Sequence, residues 1–206
     1  MLQFITHRTE RYDEFEQTQL VLDGGCRWIQ LRMKDATLDE VKSMAARIKK
    51  LCEPYEAALI IDDHVEIAKE TGADGVHLGK NDMPPLEARE LLGGEPFIGG
   101  TANTFDDIKQ LFLWGVDYIG LGPFRYTTTK KNLSPVIGLD GYRNIFAQCR
   151  DNGIATPIVA IGGITADDIP GIMQAGATGI ALSGTILQAE NISKETEKII
   201  NLIKNY

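Results

Sequence analysis

Cysteine is scarce in this chain of 206 residues, which contains three, at Cys26, Cys52 and Cys149. The three lie far apart, none belongs to a CxxC pair, and no histidine stands at metal-ligand spacing from any of them. An odd number of widely spaced thiols is not the pattern of a disulfide scaffold or of a zinc site. We therefore expect buried, reduced thiols and a cytoplasmic protein.

Long apolar runs and an excess of positive charge are also missing. No segment approaches the roughly 18 apolar residues of a membrane-spanning helix, and the opening MLQFITHRTE contains no cleavage-type segment. The chain has 21 basic and 29 acidic residues, a net charge of −8. Evenly spread negative charge repels nucleic acid and acidic membrane surfaces, so we expect neither as a partner. An anionic ligand would then require a local basic cluster or a metal ion.

Short apolar runs alternate with longer amphipathic segments along the chain. Strands apolar on both faces are typical of a parallel sheet covered by helices. We predict an α/β fold, a (β/α)8 TIM barrel that forms a single domain over residues 1–206, with a doubly wound open sheet as the competing architecture. The aromatic residues of LFLW and YRNIF have helical spacing and are predicted to lie in the core. The eight predicted strands are LQFIT, RWIQLRM, AALIID, GVHLG, PFIGG, DYIGLG, PIVAIGG and TGIALSG.

Polar residues collect after the predicted strands, where a barrel places its active site. Arg32 and Lys34 follow the second strand. A guanidinium suits bidentate contact with phosphate oxygens, and a lysine supplies a point charge. The alternative is that both are solvated residues at a strand end. His77, within GVHLG, is predicted to be a packed strand residue.

Asp63 and Asp82 follow neighbouring strands, the third and the fourth, so we expect their carboxylates to converge. Mg²⁺ is usually held by one or two carboxylates, with phosphate and water as the remaining ligands. The pair therefore predicts a Mg²⁺ site. The alternative is a helix cap at Asp63 and a turn residue at Asp82.

The last three strand ends predict a phosphate site. GPFRYTTTKKN after the sixth strand supplies hydroxyls and lysines, and the turns GGIT and SGT follow the seventh and eighth strands. Glycine lets backbone N–H groups approach an anion closely, and these loops of a barrel frequently bind phosphate. The residues together predict a Mg²⁺-assisted enzyme that acts on a diphosphate and has a second phosphate site.

Five motifs make the chain resemble the thiamine-phosphate synthase family over residues 22–187. They are QLRMK, DDHVEIA, GADGVHLGKNDMP, GPFRYTTTKKN and AIGGIT…QAGATGIALSG, in the order and approximate spacing of that family. The resemblance implies a transferase that joins hydroxymethylpyrimidine diphosphate to a thiazole phosphate, giving thiamine phosphate and pyrophosphate by a Mg²⁺-assisted dissociative substitution.

The resemblance also implies roles for individual residues. Asp63 and Asp82 would hold Mg²⁺, and Lys130 would act as a catalytic residue together with Arg32 and Lys34. Departures from the family are Asp62 for a common Asn, Thr101 for Ser, Lys80 for Gln, and Ser183-Gly184 for an apolar-Ser pair. The implied substrate contacts are Gln30, Arg32, Lys34, Asp62, Thr101, Thr127, Thr129, Lys130, Gly163, Ser183 and Gly184.

Two rival functions use the same fold. One is a thiazole tautomerase, an isomerase that needs neither diphosphate nor Mg²⁺. The other is a non-catalytic thiamine-phosphate binding protein. The charged set, Arg32, Lys34, Asp63, Asp82 and Lys130, argues against the tautomerase, because an isomerase gains nothing from it. The sequence leaves a homo-oligomer open.

Overall fold

The computed structural model describes residues 1–126 and 135–206. Within these ranges eight parallel strands follow one another around a closed barrel. The last strand pairs with the first, with Ile180 opposite Leu2. The predicted TIM barrel is therefore confirmed, and the open-sheet alternative is wrong. The strands are β1 Leu2–Ile5, β2 Trp28–Leu31, β3 Ala58–Asp62, β4 Gly75–Leu78, β5 Phe97–Ala102, β6 Tyr118–Leu121, β7 Ile158–Ile161 and β8 Gly179–Leu182.

Helices connect the strands and cover the barrel from outside. The short helix that starts directly after β8 was not predicted from the sequence, since four residues are too few to establish a helical period. Two further turns, Glu53–Tyr55 and Ala166–Asp168, are 3₁₀-helical. The α-helices are α1 Glu14–Asp23, α2 Leu38–Cys52, α3 Val65–Thr71, α4 Pro85–Leu92, α5 Phe105–Leu113, α6 Gly138–Asp151, α7 Ile169–Ala175, α8 Gly184–Leu187 and α9 Ile192–Ile203.

Capping boxes fix where helices begin after the strands. Thr37 Oγ1 accepts a hydrogen bond from the Glu40 N–H at 3.3 Å, and the Glu40 carboxylate accepts one from the Thr37 N–H at 2.8 Å. Asp13 and Glu16 form the same reciprocal pair before α1. Each box satisfies N–H groups that have no partner inside the helix. The loops that leave β1 and β2 are thereby anchored at their far ends.

The core has two parts. Most buried apolar residues lie between the barrel and the helices, and a small cluster of Ile5, Tyr118, Val159 and Ala181 lies apart from them. Cys26, Cys52 and Cys149 are buried and free, in agreement with the prediction. Burial raises the pKa of the Cys26 thiol to about 11, which keeps it protonated. None of the helices described here has the length and apolar character to cross a membrane.

The end of α5 differs from the prediction. Phe112 and Trp114, from LFLW, are 40% and 36% exposed, whereas Tyr142 and Phe146, from YRNIF, are buried. In α5 the residues that face the barrel include Leu111. Phe112 is turned about 100° away from it around the helix axis, and Trp114 lies past the end of the helix, at its C-cap. The predicted core position is therefore wrong for Phe112 and Trp114.

Glycine in β5 makes room for an aromatic ring inside the barrel. A Cβ at Gly99 would lie 2.2 Å from Cζ of the buried Tyr118. We expect Gly99→Ala to lower the free energy of unfolding by about 1–3 kcal/mol, because overpacking forces the ring or the backbone to move. Urea unfolding measures the change. The control is Gly94→Ala, where a Cβ meets nothing within 4 Å and the expected change is within about 0.5 kcal/mol. Equal losses in the two variants would contradict this account.

Candidate active site

The carboxyl ends of β2 and β3 bring basic side chains onto one carboxylate. Asp62, the last residue of β3, accepts a hydrogen bond from Gln30 Nε2 at 2.6 Å. Its Oδ2 lies 3.6 Å from Arg32 Nε and 3.6 Å from Lys34 Nζ. The Asp62 and Arg32 side chains are only 10% and 12% exposed. A carboxylate buried to this extent needs cations beside it, so Asp62 gathers Gln30, Arg32 and Lys34 into one cluster.

Two further carboxyl groups lie beside this cluster, those of Asp63 and Asp82. They lie within hydrogen-bonding reach of each other, and Asp63 Oδ2 lies 2.5 Å from Lys34 Nζ. Burial acts to raise the pKa of Asp63, but the hydrogen bonds with Lys34 and Asp82 outweigh it and lower that pKa. Burial and the neighbouring Asp63 raise the pKa of Asp82. The two groups thus form an acidic pair that a shared cation would stabilise.

The backbone holds the pair in place. Asp63 has φ 66°, in the left-handed region, and its N–H donates to the His77 carbonyl oxygen of β4 at 2.9 Å. The N-cap of α3 is His64, so the helix-cap alternative for Asp63 is wrong. Asp82 does act within its turn, because its Oδ2 accepts the Gly79 N–H at 2.6 Å. A non-glycine residue in the left-handed region is uncommon and is often found at a functional position.

The donor set fits Mg²⁺. Asp63 and Asp82 offer hard carboxylate oxygens, and Mg²⁺ commonly takes one or two carboxylates and completes its octahedron with phosphate and water. Among residues 1–126 and 135–206, no group of three or more His, Cys, Asp or Glu side chains is placed to hold a metal ion. A site of this kind suits a cation that arrives with a phosphate ligand better than a structural metal enclosed by protein.

Thr101, near the end of β5, borders the same end of the barrel. Its Oγ1 lies 2.9 Å from His77 Nε2, and the other ring nitrogen, Nδ1, lies 3.1 Å from the Tyr118 hydroxyl. His77 is buried within β4, as predicted. It therefore supports Thr101 from inside the barrel.

Two turns meet at the ends of β7 and β8. Gly162 and Gly163 have φ 98° and 68°, a conformation that favours glycine. Thr185 Oγ1, after β8, donates to the Ile164 carbonyl oxygen at 2.6 Å and joins the turns. Ser183 Oγ is the one buried side-chain oxygen or nitrogen without a hydrogen-bond partner in the described part of the chain. Leaving such a group unpaired costs about 1–3 kcal/mol, and a polar ligand at this place would supply the missing partner.

Arg125 is a residue that the sequence did not single out. Its guanidinium donates to the Gly163 carbonyl oxygen at 2.9 Å and pairs with Asp168 at 2.8 Å. It thus joins the segment after β6 to the glycine turn after β7. The feature of the sequence that could have identified Arg125 is its position in GPFRY, directly before the threonine cluster. Thr127, Thr129 and Lys130 lie outside the described residues.

Lys80 has a different partner from the carboxylate pair. Its Nζ lies 2.7 Å from Asp107 Oδ2, and the same oxygen accepts the N–H groups of Asn103 and Thr104 at the start of α5. Lys80 is therefore held by a capping residue of the next helix. We expect it to influence the acidic pair only weakly.

The opposite end of the barrel is chemically different. A cavity of about 470 Å³ there is lined mostly by apolar side chains, including Leu2, Trp28 and Phe97. Asp117, which also lines it, is already paired with Arg89 and accepts the Ile98 N–H. The charged and hydroxyl groups that fit an anionic ligand lie instead at the carboxyl ends of the strands.

Comparison with known proteins gives one consistent result. Residues 2–186 match the family described as thiamine monophosphate synthase. A thiamine-phosphate synthase of Phocaeicola vulgatus is 61% identical over 201 residues, covering 98% of this chain and 97% of that protein. One of Bacteroides thetaiotaomicron is 59% identical, covering 98% and 96%. The solved thiamine phosphate pyrophosphorylase of Pyrococcus furiosus has a TM-score of 0.87 at 32% identity and covers 99% of this chain and 95% of its own.

Proposed function

The chain belongs to the thiamine monophosphate synthase family, and we propose the roles of its site residues and of Mg²⁺ in that family's reaction. The chain is a transferase that condenses hydroxymethylpyrimidine diphosphate with thiazole phosphate to give thiamine phosphate and pyrophosphate. The observation that carries our proposal is the meeting of Lys34, Asp63 and Asp82 at the ends of three neighbouring strands.

The diphosphate binds where the strand ends supply both signs of charge. Arg32 and Lys34 contact its oxygens, and the family resemblance adds Lys130 as a third contact. Asp62 orients both Arg32 and Lys34 before substrate arrives, since one of its oxygens lies 3.6 Å from each. Charges that are already oriented stabilise a transition state without the cost of rearranging during the reaction.

Asp63 and Asp82 would hold Mg²⁺ at this position. When bound, Mg²⁺ supplies positive charge beside the oxygens of the departing pyrophosphate. Lys34 Nζ lies 2.5 Å from Asp63 Oδ2, so it would pair with the diphosphate beside this carboxylate. The basic side chains thus meet the negative charge that develops on the leaving group.

Positioning accounts for the rest of the reaction. The aminopyrimidine spreads positive charge as its C–O bond breaks, so the substitution is dissociative and needs no protein nucleophile. The turns with Gly163, Ser183 and Gly184 bind the thiazole phosphate, helped by Thr127 and Thr129. Ser183 Oγ, unpaired in the structure, donates to a phosphate oxygen. An anchored phosphate holds the thiazole nitrogen near the pyrimidine methylene carbon, which removes much of the entropic cost of their encounter.

Pyrophosphate release tests the proposal. With both substrates and Mg²⁺, we expect one pyrophosphate per thiamine phosphate formed, and chelation of the metal by EDTA should reduce the rate at least about 100-fold. A coupled pyrophosphatase assay and chromatography measure the two products.

Each alternative gives a different result in the same assay. A tautomerase would convert a thiazole phosphate without the pyrimidine and without pyrophosphate release. A binding protein would retain thiamine phosphate with no turnover. Turnover that is unaffected by EDTA would contradict the role assigned to Mg²⁺ while leaving the transferase activity intact.

A further inference from the structure

A line of hydrogen bonds crosses the barrel interior and ends at the active site. Gln3 Nε2 of β1 lies 3.2 Å from the Tyr118 hydroxyl of β6, which lies 3.1 Å from His77 Nδ1 of β4. His77 Nε2 then lies 2.9 Å from Thr101 Oγ1 of β5. Gln3, Tyr118 and His77 are buried, and Thr101 is half-buried at the carboxyl end of its strand. The line therefore connects the core to a single side chain that borders the site.

The donors and acceptors give the line a direction. An amide nitrogen only donates, so the Tyr118 oxygen accepts from Gln3, and its one hydrogen is able to point to the second neighbour, His77 Nδ1. Burial raises the pKa of Tyr118, which keeps that hydrogen on the phenol. A neutral histidine whose Nδ1 accepts has its hydrogen on Nε2, and this N–H donates to Thr101 Oγ1. The Thr101 hydroxyl hydrogen is then directed away from His77.

Close packing fixes both rings. A Cβ at Gly99 would lie 2.5 Å from the Tyr118 hydroxyl oxygen, and one at Gly120 would lie 3.1 Å from His77 Cε1. The edge of the Trp28 ring contacts Tyr118 with 4.8 Å between centroids. Neither ring has room for a side chain beside it. Both rings are therefore held in place, and this order of donors leaves the Thr101 hydrogen for a ligand.

We propose that His77 and Tyr118 are positioning residues that make Thr101 a hydrogen-bond donor toward an unprotonated ring nitrogen of the aminopyrimidine. The inference rests on the proposed function above for the identity of the ligand. Thr101 would then discriminate between pyrimidines. A hydroxyl held as a donor binds a ring nitrogen that accepts a hydrogen bond more tightly than a ring with an N–H at that atom. A threonine whose hydroxyl could rotate freely would bind both rings, because it could donate to the ring nitrogen or accept from the ring N–H.

The first test is the tautomer of His77, which needs no activity. The chain has three histidines, so comparison with a His77→Asn variant identifies the side-chain ¹⁵N signals of His77. We expect the Nε2–H tautomer in the intact protein and a shift toward the Nδ1–H tautomer in Tyr118→Phe. An Nδ1–H tautomer in the unmodified protein would overturn the proposed direction, whatever reaction the protein catalyses.

The second test is kinetic. We expect Tyr118→Phe to raise KM for the pyrimidine diphosphate about tenfold, with little change in KM for the thiazole phosphate. Tyr142→Phe is the matched control, because Tyr142 is also a buried tyrosine and its hydroxyl donates to the Leu121 carbonyl oxygen on the outer side of the barrel. Its KM values should stay unchanged.

A second variant keeps the test valid if Tyr118→Phe does not fold. Gln3→Met removes the first donor and should raise the same KM by a smaller factor. If Tyr118→Phe and Gln3→Met both fold and keep KM for the pyrimidine diphosphate, the positioning role is wrong. Loss of pyrophosphate release in the unmodified protein would instead contradict the proposed function and leave the tautomer result standing.

Discussion

Asp63→Asn is expected to lower kcat/KM for the pyrimidine diphosphate by about 10²- to 10³-fold, the range typical of removing one group that stabilises developing charge. The substitution preserves shape and removes the negative charge that faces Lys34 and Asp82. Asparagine tolerates the left-handed backbone at φ 66° about as well as aspartate. The fold should therefore survive, and the loss should come from weaker binding of Mg²⁺ with the diphosphate.

Steady-state kinetics over a range of Mg²⁺ concentrations measures this effect, and calorimetry with Mg²⁺ and inorganic pyrophosphate measures binding without turnover. Asp74→Asn is the matched control. Asp74 also accepts from a lysine, with Lys49 Nζ 2.7 Å away, but it precedes β4 and so lies at the amino end of the barrel. Its kinetics should remain within a factor of about two. If Asp63→Asn keeps the Mg²⁺ dependence of the unmodified protein, Asp63 is not a metal ligand.

The position of the site could be predicted because it follows from topology. The carboxyl ends of parallel strands meet at one end of a barrel, so polar residues after successive strands must be neighbours. Asp63 and Asp82 were expected to converge on this ground, and their carboxyl groups do lie within hydrogen-bonding reach of each other. For this prediction it was enough to locate the end of each strand to within a residue or two.

The pairing of side chains within the site could not be predicted in the same way. Asp62 gathers Gln30, Arg32 and Lys34, yet from the sequence it was a substrate contact and a departure from a common asparagine, with no partner side chain assigned to it. These contacts depend on the register of β2 against β3, where Leu31 is opposite Ile61. A shift of one residue would turn Gln30 and Asp62 to opposite faces. The alternation of residues shows on which face of a strand a side chain lies, but it does not show which residue lies beside it on the neighbouring strand.

The contacts of His77 and Arg125 could not be predicted, for related reasons. A histidine inside an apolar strand is usually a packed residue, and nothing in GVHLG reveals that Tyr118 and Thr101 lie at its two nitrogens. Arg125 acts through the Gly163 carbonyl oxygen, a backbone group 38 residues away that has no sequence signature. Both contacts bring together residues from different strand-helix units, so they exist only once the barrel closes.

Gly163→Ala is expected to lower kcat/KM for the thiazole phosphate by about 100-fold, the effect of misplacing a substrate by about 1 Å. A Cβ at Gly163 would lie 2.9 Å from the Tyr126 carbonyl oxygen and 3.0 Å from that of Arg125. These are backbone atoms, so the contact is not relieved by turning a side chain. Either the turn after β7 or the segment after β6 has to move, and the phosphate loses its alignment. KM for the pyrimidine diphosphate should change much less.

The matched control separates this crowding from backbone strain. Gly153 has φ 67°, almost the same as the 68° of Gly163, but a Cβ there meets nothing within 4 Å. Gly153→Ala should lose about 1–2 kcal/mol of stability, because an L-residue with a side chain is disfavoured in the left-handed region, and Gly163→Ala should lose at least as much. Only Gly163→Ala should lose activity. Equal activity in the two variants, measured with thiazole phosphate as the varied substrate, would show that the turn after β7 does not hold the phosphate, because the strain is common to both and the crowding is not.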